Sequence, residues 1–186
     1  MVAGAAVSGL AGALISVALN LSPSPYASFE IMTWLMGSLA DRSWNHVILV
    51  FPFVALGVAV LLYTGKGLDA LSLGEIQAQS LGINLGRLRA RALLGTALAV
   101  GAATSVTGAI GFIGLIAPHL IRPLVDSRPR QVLVPSAILG AILLLSADIA
   151  TRLIHIGPEI KLGVLTSLIG TPFFFWLVIR LRKNAP

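Results

Sequence analysis

Cysteine is absent from the 186 residues, so the chain holds neither a disulfide framework nor a thiolate metal site. Charge is nearly as scarce. Only 11% of residues are Asp, Glu, Lys or Arg, where a soluble domain carries roughly 25%. No G-x-x-x-x-G-K-[ST] occurs, and Gly65-Lys66-Gly67 is no substitute, so the chain lacks the loop that cradles nucleotide phosphates. No G-x-S-x-G occurs either, and the serines have no histidine partner at a matching depth, which argues against an intramembrane serine protease. His46, His119 and His155 are isolated from one another, without a second ligand at metal spacing. Ionisable residues are missing from the centres of the apolar runs, which argues against an ion-coupled secondary transporter.

What the chain does have is apolar length, with 56% of its residues hydrophobic. Stretches 1–29, 43–65, 92–121, 131–147 and 162–179 contain no Asp, Glu, Lys or Arg. A crossing of the hydrocarbon core takes about 20 such residues. A soluble helical protein would need a polar face on each helix, and these stretches show none. The first has no basic n-region, so it reads as a span and not as a cleaved signal peptide. Stretch 92–121 is too long for one crossing and is interrupted by Gly108, Gly111, Gly114 and Pro118. It divides into a span over 92–107, a glycine bend and a short helix over 112–125. No strand precedes these glycines, which argues against a nucleotide loop; close helix approach at a re-entrant bend fits them better. The remaining spans are 2–20, 45–63, 132–153 and 162–179. Segment 27–40, with Glu30 and Trp34, has the character of a short interfacial helix. The expected fold is all-α: one transmembrane domain over 1–186, a polytopic helical bundle with about six membrane segments.

Charge sets the orientation. With segment 66–91 placed in the cytoplasm, alternating crossings put Lys66, Arg87, Arg89, Arg91, Arg122, Arg128, Arg130, Arg180, Arg182 and Lys183 on that side. Arg42, Arg152 and Lys161 lie outside. Ten of thirteen basic residues then sit inside, as the positive-inside rule requires. This distribution accounts for the net charge of +6 without nucleic acid as a partner.

Segment 66–91 is the one long polar stretch between spans. Ser72 and Glu75 have capping-box spacing, which predicts a short helix ending near Leu81. Gly82 is a left-handed stop, and Asn84 a cap for the next helix, which carries Arg87 and Arg91 at i,i+4. The expectation is a helix–Gly–helix. Leu73, Ile76 and Leu81 leave an apolar strip on it, to be buried against either a partner or the chain's own spans.

Several motifs together resemble one family. EIQAQSLG at 75–82 resembles the EAA-type loop of ABC importer permeases. GAIGFIGLIAPHLIR at 108–122, LLLSADIATRL at 143–153 and GVLTSLIGTPFFFWL at 163–177 resemble the FecCD-type permeases, importers of iron–siderophores, haem and vitamin B12. WLMGSL at 34–39 is similar to that family's short external helix. Lys161 stands where the family usually has proline, and DSRPR at 126–130 is more basic than its usual turn.

The resemblance implies a transport subunit of the cytoplasmic membrane that is not itself an enzyme and needs no cofactor. Its partners would be a cytoplasmic ABC ATPase, an external substrate-binding protein and a second permease copy. Glu75, Ala78 and Gly82 would form the core of the ATPase-coupling surface, and Arg152 would dock the binding protein, either alongside or instead of pairing with Asp148. The expected cargo is a metal chelate, ferric siderophore ahead of haem or vitamin B12. Met1 falls where the family's fifth span begins, which raises two further expectations: a partner chain supplying the N-terminal spans, or an inactive half-permease. Within the last span, Pro172 is expected to kink the helix, and Thr166, Ser167 and Thr171 to line the pathway or satisfy backbone groups.

Overall fold

The computed structural model describes residues 2–126, 128–153 and 160–183, and their regular structure is entirely helical. In chain order the helices are α1 (Val2–Asn20), α2 (Pro25–Leu35), α3 (Trp44–Leu71), α4 (Glu75–Ser80), α5 (Leu85–Thr107), α6 (Ile113–Ile121), α7 (Pro129–Leu153) and α8 (Leu162–Lys183); a 3-10 turn, Arg122–Leu124, follows α6. Three of them, α3, α5 and α7, are long and apolar enough to cross a membrane. Among the described residues these three meet the criteria of length and composition, and α1, α6 with its 3-10 turn, and α8 add further apolar helix; this leaves the expected count of about six membrane segments untested. Large apolar side chains such as Leu93, Leu145 and Leu168 are exposed on these helices, the pattern of a protein whose solvent is hydrocarbon.

The most extensive helix pairing is between α3 and α5. Gly57 and Gly95 meet at their crossing: a Cβ on Gly57 would lie 2.7 Å from the Gly95 carbonyl oxygen, and one on Gly95 would lie 3.0 Å from that of Gly57. Small residues let the backbones approach, which supplies the dispersion contacts that hold helices together in lipid. The sequence reading ended the second span at residue 63. The helix instead continues through Gly65 and Gly67 to Leu71. Interior glycine costs a helix roughly 0.5–1 kcal/mol, but both sites are filled by neighbours. A Cβ at Gly65 would meet Arg130 Cγ at 3.0 Å, and one at Gly67 would meet Leu88 Cδ1 at 2.7 Å.

Two joints define the ends of the bundle. At one end the Asp69 carboxylate, in the last turn of α3, accepts the backbone N–H of Arg130 at 2.8 Å and so caps α7. At the other end Ser38 N–H donates to Thr107 carbonyl at 2.8 Å, and Gly163 N–H to Gly37 carbonyl at 3.2 Å. The α2 exit, the α5 C-terminus and the α8 N-terminus thus form one backbone knot. Gly37 holds φ +64, and a Cβ there would sit 2.4 Å from the Ala109 carbonyl oxygen; a Cβ on Gly163 would sit 2.2 Å from that of Met36. From these joints, α3, α5, the 108–124 segment, α7 and α8 alternate in direction.

The glycine bend differs from expectation. Gly108 has φ +73 and its missing Cβ would fall 2.1 Å from the Trp34 carbonyl oxygen, so close approach is real there. Gly111 and Gly114 do not take left-handed backbone, and Gly114 faces open space inside α6. The second left-handed residue is Phe112, with φ 67. It is accommodated because α8 has Gly170 opposite, where a Cβ would lie 2.4 Å from Phe112 Cβ. Pro118 lies inside α6 without ending it. In α8, Pro172 likewise lies inside a continuous helix.

Candidate functional site

The polar segment folds as helix–Gly–helix across the ends of α3 and α5. Its start departs from the sequence reading. Ser72 closes α3 and its hydroxyl donates to the Asp69 carbonyl at 2.7 Å, while Gly74 (φ 114) is the N-cap of α4 and makes no side-chain cap. The Ser72–Glu75 capping box is not formed, because α3 runs on to Leu71 and uses Ser72 at its own terminus. The stop is as expected. Gly82 takes φ 79, its N–H donates to Gln79 carbonyl at 2.9 Å, and Ile83 N–H donates to Ala78 carbonyl at 3.0 Å. These two bonds make a Schellman motif. The Asn84 side chain then accepts Arg87 N–H at 3.0 Å and starts α5.

The element has an inner and an outer face. Ala78 is fully enclosed, with Leu85 and Leu88 buried beside it, where α4 packs on α3 and α5. Leu73, Ile76 and Leu81 are 65%, 77% and 64% exposed. Among the described residues, no span covers this apolar strip. Glu75 pairs with Arg89 of α5 at 2.5 Å, a bridge that ties α4 to α5. Both partners are more than half exposed, so its energetic contribution is small. Of the three expected coupling residues, Glu75 and Gly82 lie at the surface. Ala78 faces inward, so its part is to seat the helix.

The opposite end carries Arg152, in the last turn of α7. Its Nε donates to the Asp148 carboxylate at 2.7 Å. The Asp148 side chain is largely covered while that of Arg152 is 62% exposed, so the pair presents a guanidinium outward. At 1.5 Å per residue, the α7 helix sets Arg152 roughly 33 Å from Arg130. Coupling and docking candidates thus occupy opposite ends of the bundle. The basic residues follow the same division: Lys66, Arg87, Arg91, Arg122 and Arg130 lie with the polar segment, and Arg42 with Arg152.

The histidines serve local structure. His46 Nδ1 accepts Ser43 N–H at 3.1 Å at the start of α3, and His119 packs edge-on against Phe173 with ring centroids 6.3 Å apart. His155 lies outside the described residues. Thr166 is buried and donates to the Gly163 carbonyl at 3.1 Å, a backbone-satisfying role. Sequence reasoning missed Asp69, Gly37 and Gly163. Spacing held no signal for Asp69, whose partner is 61 positions away.

Comparison with known proteins follows the same lines. The profile of the FecCD transport family matches residues 1–180. The chain is 41% identical to the vitamin B12 import system permease protein BtuC of Vibrio cholerae, over 97% of this chain and 54% of that protein. It is 38% identical to the hemin transport system permease protein HmuU of Yersinia pestis, over 99% and 55%. With the Fe(3+) dicitrate transport system permease protein FecD of Escherichia coli the identity is 39%, over 81% and 48%. A solved metal-chelate type ABC transporter in an inward-facing conformation superposes with a TM-score of 0.87 at 34% identity, covering 95% of this chain and 57% of that one. The chain spans about half the length of the curated relatives it matches.

Proposed function

The chain belongs to the FecCD transport family, and from that premise we propose that it is the C-terminal part of the membrane subunit of an ATP-driven importer. It carries no enzyme activity of its own. Hydrolysis belongs to a separate cytoplasmic ATPase, and the permease works as a dimer in the cytoplasmic membrane, fed by an external binding protein. The cargo is a metal chelate. Relatives named for vitamin B12, hemin and Fe(3+) dicitrate support that class, and ferric siderophore is the first member to test. The relatives it matches are about twice its length, and the complete permease includes the spans that correspond to their remaining half.

The observation that carries this reading is the outer face of α4. An apolar strip stays exposed on a short helix that is held by a Schellman motif, seated through Ala78 and bridged to α5 by Glu75. A rigid element of this kind passes a push from a soluble partner into α3 and α5. Asp69 extends the same path into α7. ATP-driven closure of the partner would move the three helices together, and the energy comes from nucleotide and not from any side chain here.

The test is co-purification of the ATPase with the permease, comparing wild type with Gly82→Pro. Proline cannot take φ 79 because its ring holds φ near about −65°. Loss of ATPase capture with retained membrane insertion supports the reading. Equal capture by both forms contradicts it.

A further inference from the structure

Outside the apolar strip, the same end of the bundle holds a cleft of about 540 Å³ between α3, the α4–α5 turn, α5 and α7. Lys66, Arg87, Arg91 and Arg130 line it, together with Leu62 and Tyr63. No carboxylate is among its lining residues. No described carboxylate forms an ion pair with any of the four cations, and Asp69 directs its carboxylate to a backbone N–H of α7. Four cations lining one concave surface focus a positive potential there, which attracts an anion.

The depth of the cleft identifies the anion. Tyr63 is 76% exposed at the end of the apolar stretch of α3, and the Arg91 guanidinium lies over its ring at 5.3 Å. An exposed tyrosine beside arginines at the end of a span marks headgroup level. Leu62 belongs to the apolar part of α3 and Lys66 lies one turn further out. The cleft therefore grades from hydrocarbon to cation, as an amphiphilic anion does. Basic pockets between transmembrane helices on the positively charged side take lipid phosphates in this way. The cleft shares Gly82 with the coupling element, but the exposed strip of Leu73, Ile76 and Leu81 does not line it. We propose that this cleft binds the phosphate of an anionic phospholipid from the adjoining leaflet, with Arg87, Arg91, Lys66 and Arg130 as its ligands.

The proposal rests on membrane insertion and not on transport, so it stands or fails independently of the coupling role. The experiment uses the complete permease in neutral detergent and reads bound lipid by native mass spectrometry and by thermal shift. Phosphatidylglycerol, cardiolipin, phosphatidylcholine and inorganic phosphate are titrated separately. The anionic lipids are expected to bind and phosphatidylcholine is not. Arg87→Gln with Arg91→Gln should weaken anionic-lipid binding by about tenfold or more. Arg87→Lys with Arg91→Lys should retain most of it. Arg122→Gln with Arg128→Gln removes the same charge outside the cleft and should leave binding unchanged. Equal weakening by the two Gln pairs, or none with the first pair, overturns the proposal. So does stabilisation by inorganic phosphate equal to that by lipid, which would make the site a free-phosphate pocket.

Discussion

Asp69 and Arg130 are 61 positions apart in sequence, yet the carboxylate of the first accepts the backbone N–H of the second at 2.8 Å. One side chain at the end of α3 thereby caps α7. The bond joins the helix that leads into α4 to the start of α7. Removing the acceptor with Asp69→Ala should cost about 0.5–2 kcal/mol, the usual value of a helix cap, while Asp69→Asn keeps an acceptor and should cost less. Thermal unfolding of the purified permease checks both. If the two variants unfold alike, the bond does not hold α7.

The glycine knot at the other end makes a second prediction. Gly37→Ala forces a side chain into left-handed backbone, which costs roughly 1–2 kcal/mol, and also into the Ala109 carbonyl oxygen 2.4 Å away. Gly163→Ala meets only the steric part, at 2.2 Å from the Met36 carbonyl oxygen. Both should lower folded yield in membranes, whereas Gly101→Ala, which meets open space, should not. Comparable yields for all three variants would mean the knot is dispensable.

How far these features were legible depends on their range. Gly82 and Asn84 act within four residues of themselves, and their stop and cap could be read directly from the sequence. Ser72 has the same local character but was misplaced, because the end of α3 is set by packing against Leu88 and Arg130 and not by local capping. The same packing hid the helical course of 64–71. Of the bend glycines, only Gly108 meets another backbone closely, and that backbone belongs to α2 and its exit, about 70 residues earlier. The contacts of Gly37, Gly163 and Asp69 are likewise tertiary, and a single sequence carries no pattern for them.

The small-residue face of α1 makes a prediction about what packs on it. Gly4, Gly9 and Gly12 each face open space, with nothing within 4 Å of a Cβ built on them, although such small residues suit a close helix crossing. Gly9→Leu should therefore leave the packing of α3, α5 and α7 unchanged and lower the yield of the assembled, complete permease. An undiminished yield would show that this face contacts lipid.

The outward guanidinium of Arg152 makes a prediction about the opposite side. Arg152→Glu places a second negative charge beside Asp148, which now pairs with it at 2.7 Å. Affinity for the external binding protein at low salt should fall about tenfold or more, as for truncation of a charged contact at an interface, with ATPase capture unaffected. Unchanged affinity removes Arg152 from the docking surface.

Because the chain has no cysteine, a single introduced thiol reports on one position alone. Ile76→Cys places it on the exposed strip of α4, Ala78→Cys on the enclosed face. The decisive measurement is the rate of maleimide labelling at position 76 in membranes holding the complete permease, with and without its ATPase. The account predicts fast labelling from the cytoplasmic side that the bound ATPase suppresses, and slow labelling at 78 in both states. Labelling at 76 that is unaffected by bound ATPase, or that occurs only from the external side, would contradict the assignment of this element as the coupling surface.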